Sequence, residues 1–475
     1  MTDLGDMDPE AFRREAHRVA DWIADYFAGI ERYPVLSRVS PGDVRASLPP
    51  DAPADGEPFE TILADFERTL LPGITHWNHP GFFAYFAISG SGPGVLAEFM
   101  SAALNVQAML WRTSPAATEL EEVALDWLRR LLDLPHAFDG VIYDTASVST
   151  LHALAAAREQ AVPDVSARGL AGRFDIPPLR VYCSEHAHSS VDKAVMLLGL
   201  GQESLHRIEA DAEFRMRPDA LAAAIDSDTR NGCQPIAVVA TVGTTSTTSV
   251  DPVGAIAAIC EREHLWLHVD AAYAGVAALV PEHRWILKDA GAADSLVVNP
   301  HKWLFTPFDL SAFFCRRMDV VRAAFSLTPD YLTTAEAGSA RNLMDTGIQL
   351  GRRFRALKLW AVLRYFGTDG IRARLREHMR LAALFAGWVD ASPQFERAAP
   401  VPFSVVCFRL RGTDEMNERL LARLNATGEV FLSHTRLGGR YTLRLAIGNL
   451  RTTERHIARA WTLLQQHAAE LGATP

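Results

Sequence analysis

Residues 297–307 read VVNPHKWLFTP. Two β-branched residues, Val297 and Val298, run into Asn299-Pro300, and His301, Lys302 and Trp303 follow in a row. β-Branched residues favour strands and proline ends them. A lysine at such a strand end either returns to solvent along its own stem or is held for its amine. Which applies depends on what the neighbouring strands deliver to the same place.

Apolar runs of strand length recur at 140–143, 180–183, 236–241, 265–269, 295–298 and 312–315. Helical patterns separate most of them, for example at 148–160 and 252–263. Strand, helix and strand in series predict an α/β fold, a mainly parallel sheet with helices on both faces. Such sheets place ligands at the carboxyl ends of their strands.

Four of those ends carry chemistry. LWLHV ends in Asp270, the opening stretch ends at Lys302, VVATV ends in a Gly-Thr-Thr turn, and GVIYD runs into a helix through Thr145, Ala146 and Ser147. A carboxylate, an amine, hydroxyls and a helix start together suit pyridoxal phosphate. Its aldehyde needs a lysine, its pyridine nitrogen an acidic partner, and its phosphate backbone N–H groups. Each residue also has a plain reading. Asp270 could cap the next helix, Lys302 could be solvated, and Thr145 to Ser147 could form an ordinary cap. His188 could be a polar helix start. His186 and His188 form a His-x-His pair, but no third ligand stands at metal spacing and no HExxH or CxxC occurs, so no metal is expected.

Outward from this centre, Asp8-Pro9-Glu10 opens a helix striped with Phe12, Ala16, Val19, Ile23 and Tyr26. Residues 40–58 form a Pro-, Asp- and Gly-rich connector, and a second helix fits 59–71. THWNHPGFFAYFAISGSGPG, from Thr75, is aromatic and then glycine-rich, a loop lined for a purpose. An amphipathic helix over 117–133 is expected to show Leu120, Val123, Trp127 and Leu131 on one face. After 351 the pattern is helical to about 392, with strands at 403–410 and 440–447 and a closing helix from 452. The expected parts are an N-terminal helical segment (1–90), a large domain (91–365) and a small α+β domain (366–475).

The chain has 475 residues, 48% of them hydrophobic, and a net charge of -10. That allows a large core and speaks against a nucleic-acid partner. No run of about 18 apolar residues reads as a membrane span. The acidic N-terminus does not resemble a signal peptide. Five scattered cysteines read as reduced core residues. A cytoplasmic protein is expected.

NPHKW, HVDAAYAG, HSSVDKA, THWNHPGFFAYF, SPAATELE and LGRRFRALKLW together resemble group II pyridoxal-phosphate decarboxylases, in the aromatic-L-amino-acid branch. The resemblance runs from about residue 8 to 465. It implies the type I aminotransferase-like fold with a seven-stranded sheet, and an obligate homodimer with active sites at the interface. It implies that Lys302 joins the cofactor aldehyde, Asp270 partners the ring nitrogen, and His188 and Ala272 lie on the two ring faces. Ala146, Ser147 and Asn299 would hold the phosphate, with His301 beside it and Thr245 near the ring substituents. Tyr331, in LTPDYLTT, would return a proton to the substrate α-carbon, usually in the partner subunit's site. Trp303 would pack behind the lysine.

The aromatic lining would include Trp77, Tyr85, Phe86, Ala87, Ile88, Met109 and Gly351. A catechol-binding relative has Pro and Thr where this chain has Ala87 and Ile88, and Ile88 has no group to meet a ring hydroxyl. Met109 replaces a frequent Phe. Gly351 goes with indole substrates in similar plant enzymes, where serine goes with phenols. The resemblance thus implies tryptophan or phenylalanine ahead of tyrosine or DOPA; a broad pocket is the alternative. Two departures stand out: YDTAS replaces a glycine-serine phosphate turn, and LMDTGIQLGRRF lacks a common Trp-Gln pair. Rival readings are an aldehyde-forming relative, in which the loop tyrosine is typically Phe, a transaminase, an acidic-substrate enzyme using Arg112, and a non-catalytic scaffold.

Overall fold

The computed structural model describes residues 5–327 and 340–472. Its larger sheet has seven strands: β1 (Asp139–Tyr143), β2 (Leu179–Ser184), β3 (Leu205–Ile208), β4 (Gln234–Thr241), β5 (Trp266–Asp270), β6 (Ser295–Val298) and β7 (Ser311–Cys315). Their order is β1-β7-β6-β5-β4-β2-β3, and only β7 runs antiparallel to its neighbours. The mainly parallel sheet is therefore present, with the short edge strand β3 added to the six apolar runs.

In β4, residues 236–241 are all buried, as expected of a strand covered on both faces. All five residues of β5 are buried. Two of its side chains share one partner: Trp266 Nε1 donates to Ser295 Oγ, and His268 Nδ1 bonds the same oxygen, both at 2.9 Å. The helix Ala146–Ala161 crosses β4 to β7, and its buried run from Ala153 through Ala157 permits close approach.

A second, antiparallel sheet has the order β10-β11-β9-β8, with β8 (Phe395–Arg397), β9 (Val405–Leu410), β10 (Ser433–Leu437) and β11 (Arg440–Ala446). The helices Asp414–Ala426 and Glu454–Glu470 pack on it. The 36-residue helix Ala356–Ala391 links the two sheets and is broken at Gly367, whose φ of 62° suits glycine. The aromatic segment after Pro80 is laced to the small sheet: Phe83 N donates to Phe431 O at 2.8 Å and Ala446 N to Phe83 O at 2.9 Å.

The first helix, Pro9–Ala28, starts as its sequence indicates, with the Asp8 carboxylate accepting from the N–H groups of Glu10 and Ala11. None of its twenty residues is buried, and Phe12 is 52% exposed.

Two expectations need correction. Lys302 does not sit at a strand end: β6 stops at Val298 and the lysine rides a helical turn, Pro300–Trp303, with Asn299 as its N-cap. Proline at the first helical position favours that turn. The helix expected over 117–133 spans Pro115–Leu131 and buries a different face, Ala117, Glu121, Ala124, Leu125 and Leu128, while Val123 and Trp127 face solvent. The cause is Glu121. Periodicity counts it as surface, yet its carboxylate pairs with Arg352 and accepts from Ile142 N–H, so it goes inward. The helix Asp414–Ala426 and strands β8 and β10 were also absent from the sequence reading.

Candidate active site

Strand register brings the site together. Thr241 pairs with Asp270, and Asp270 with Val297, so three parallel strands end in line. β1 runs the same way as β6, because both oppose β7. Ser149, one turn into the helix after β1, bonds Ser311 Oγ at 2.9 Å. The helix start at Ala146 and Ser147 therefore faces the edge that carries Asp270 and Lys302.

Asp270 is buried, and its Oδ1 accepts from Ala272 N–H at 3.0 Å. The carboxylate thus both caps the turn and stays at the strand end. Lys302 Nζ lies 5.3 Å from the Phe86 ring centroid, within cation–π reach. Loss of hydration holds this amine below the usual lysine range, opposed by Asp270 and reinforced by Arg444. His188 also sits below its usual pKa, through lost hydration and Lys302 and against Asp270. These three groups feel one another across a single site. His188 Nδ1 accepts from Ser190 N–H at 3.1 Å, which orients the ring.

His301 Nδ1 accepts from Leu310 N–H at 2.9 Å, and burial, then Lys302, push its pKa down to about 3. It is a neutral imidazole at any ordinary pH. Asn299 N donates to Ala272 O at 3.0 Å, joining the two strand ends. Trp303 is fully buried, stacks on Tyr273 at 4.9 Å and donates to His378 Nδ1 at 2.9 Å. It packs behind the lysine. Thr245 lies on the loop after β4 and faces solvent.

The aromatic residues fall into groups. Phe86 stacks on Tyr273 at 3.7 Å and is the member that meets Lys302. Trp77 stacks on Phe82 at 4.4 Å and on Tyr85 at 5.9 Å. Ala87 is buried in the small cluster with Phe82, and Ile88 is half-buried beside it. Met109 packs with Leu110 and Met344. Gly351 sits under Gln107, whose Nε2 would lie 3.1 Å from an added Cβ. Tyr331 lies outside the described residues.

The sequence reading missed Arg444. This arginine of β11 is 4% exposed, and its guanidinium carbon lies 4.7 Å from the Phe86 centroid. Its Nε donates to Ser246 O at 3.0 Å, holding the loop that carries Thr245. An arginine between Leu443 and Leu445 in an apolar strand was the available signal.

A cofactor bearing an aldehyde, a ring nitrogen and a phosphate fits these residues. Thr241 Oγ1, Asn299 Oδ1 and Ser190 Oγ are buried without hydrogen-bond partners, all beside the strand ends. Unmet polar atoms gathered in one place point to a ligand. Among the described residues no group of three or more His, Cys, Asp or Glu could hold a metal ion. No helix there is long and apolar enough to cross a membrane, and all five cysteines are free.

Residues 41–411 match the model of the pyridoxal-dependent decarboxylase conserved domain. The chain is 42% identical to the aromatic-L-amino-acid decarboxylase of Sus scrofa, over 98% of both chains. It is 38% identical to a phenylacetaldehyde synthase of a Rosa hybrid cultivar, over 98% of this chain and 96% of that one. The crystal structure of Catharanthus roseus tryptophan decarboxylase in complex with L-tryptophan superposes with a TM-score of 0.93 at 37% identity, covering 98% of this chain and 100% of that one.

Proposed function

The chain belongs to the pyridoxal-dependent decarboxylase family, and we propose that it decarboxylates aromatic L-amino acids to amines, favouring tryptophan or phenylalanine over tyrosine or DOPA. The observation that carries this reading is the convergence of Asp270, Lys302 and His188 with the Phe86 ring at one sheet edge. When bound, pyridoxal phosphate supplies an electron sink for the pair released as carbon dioxide leaves.

The chain's own residues do the rest. Asp270 would partner the cofactor's ring nitrogen and favour its protonated form. Lys302 Nζ, its proton affinity lowered by burial, would be the nucleophile toward the cofactor aldehyde. Ala146 and Ser147, at the start of their helix, and Asn299 would hold the phosphate, with His301 beside it. His188 and Ala272 would flank the cofactor ring, with Thr245 near its substituents. Tyr331 gives a proton to the α-carbon. Phe86 is the nearest aromatic wall, and Trp77, Tyr85, Ala87, Ile88, Met109 and Gly351 complete the lining. Apolar Ile88 offers a phenol hydroxyl nothing in return for its lost water.

The active unit is a homodimer, joined through segment 1–90 and completing each site from both chains. Supporting this, no residue of the first helix is fully buried, and in the helix that follows the segment Leu96, Phe99, Met100 and Leu104 are all at least 49% exposed. Apolar patches of this kind mark interfaces. The enzyme acts in the cytoplasm. A second reading, aldehyde formation, draws support from the rose relative. Tyr331 favours the amine.

One assay tests these together. The purified protein with pyridoxal phosphate is given equal tryptophan, phenylalanine, tyrosine, DOPA and histidine in air, and products are counted by mass spectrometry. Tryptamine or phenethylamine in excess is expected. Excess tyramine or dopamine overturns the reading of Ile88, and aldehyde overturns that of Tyr331.

A further inference from the structure

Between the N-terminal segment and the small sheet lies a cavity of about 580 Å³, lined in part by Arg32, Arg38, Arg455, Arg459, Glu31 and Glu429. It shares no residue with the strand-end site. Its charges are unequal. Arg455 grips Glu31 with two bonds of 2.8 and 2.9 Å, and Arg459 grips Glu429 with two of 2.6 and 2.7 Å. Arg32 and Arg38 have, among the described residues, only backbone carbonyls: Gly29 O at 3.2 Å and Thr427 O at 3.1 Å. Two guanidinium groups thus face the cavity without a carboxylate.

The helix Glu454–Glu470 begins at the same place, bringing the positive end of its dipole. His456, in its first turn, is buried and accepts from Thr453 N–H through Nδ1 at 2.9 Å. Its Nε2 is buried with no hydrogen-bond partner; Glu31 Oε1 is 3.5 Å away, too far for a good bond. Guanidinium forks, a helix start and an unmet imidazole nitrogen are the donors that recognise phosphate or carboxylate oxygens.

We propose that this cavity binds a small polyanion carrying at least two phosphate or carboxylate groups, held by Arg32 and Arg38 and by the Arg455–His456 end of the helix. Gly81 borders the cavity, and a Cβ there would lie 2.4 Å from Glu429 O, so the two backbones touch. Phe431 N donates to Gly81 O at 3.0 Å, and the chain runs on from Gly81 to Phe86 at Lys302.

Isothermal titration of the full-length holoenzyme with pyrophosphate and with citrate tests this, while the absorbance of the bound cofactor is followed. Saturable binding of one probe molecule per chain with unchanged absorbance is expected. Binding of pyrophosphate alone identifies a phosphate ligand, and binding of citrate alone a carboxylate ligand. The double variant Arg32→Gln/Arg38→Gln, both exposed positions, should bind at least about tenfold more weakly, the loss of one charge-assisted bond. Glu429→Gln, which frees Arg459, should bind more tightly. The proposal is overturned if neither probe saturates, if the variants bind as the parent does, or if the cofactor absorbance changes with the titration, which would put the probe in the catalytic site.

Discussion

Two buried arginines, one in each half of the molecule, are treated in opposite ways. Arg352, beside β1, is saturated: its guanidinium meets Glu121 at 2.7 Å, Ile142 O at 2.8 Å and Ala108 O at 3.2 Å. Arg444, in the small sheet, has Ser246 O and the face of Phe86, while its Nη2 is buried without a partner. Neither guanidinium can shed its charge. A fully paired buried cation is scaffold; one left with an open donor next to a lysine and an aromatic ring belongs to a site. Arg444 adds positive potential at Lys302.

Substitutions at the two sites should separate scaffold from site. The largest effect belongs to Lys302→Ala, which should abolish turnover of every aromatic substrate; full activity in that variant, measured by amine production, removes the lysine from its role. Glu121→Ala comes next. It strands Arg352 as an unpaired buried charge and should cost about 3–5 kcal/mol of stability, seen as a large drop in Tm. Arg444→Met should do the reverse. It relieves an incompletely paired charge, so Tm holds or rises, while kcat/KM falls by roughly 10- to 100-fold, about the worth of one or two charge-assisted contacts. An early-melting Arg444→Met enzyme with normal kcat/KM would erase the distinction between the two arginines.

Acid should find the scaffold side as well. His378 joins Trp303 Nε1 to Asn449 O, and burial depresses its pKa to about 4. The unfolded chain binds a proton below pH about 6.5 that the folded one refuses, so stability is complete above that pH and lost as pH falls toward 4. At pH 5 the loss from this one ring is about 2 kcal/mol. His378→Gln should show a shallower fall of Tm between pH 6.5 and 5. The smallest effect expected is that of Ile88→Thr, which should shift the tyrosine-to-phenylalanine ratio of kcat/KM upward by less than about tenfold. An unchanged ratio would take Ile88 out of the pocket.

Much of this was legible along the chain. The apolar run of β4 and the compact WLHVD of β5 have no other reading than strands buried on both faces, and the residues ending them are local facts. Asp8 before Pro9 marks a helix start because capping is settled within four residues. The side of the helix Pro115–Leu131 that turns inward was not legible. Periodicity treats a glutamate as surface, and Glu121 is buried by a partner 231 residues away. Arg444 was missed for the same reason, since its surroundings come from three distant segments.

Six strands of the larger sheet, the chemistry at their ends and the family resemblance were readable along the chain, because hydrophobic period, turn residues and motif spacing act over short range. Long-range packing set which buried charges are paired, which ring meets Lys302, and that the lysine rides a helical turn beyond its strand. Those outcomes rest on register and long-range ion pairing, where the energy of a charged group depends on neighbours that no local pattern names.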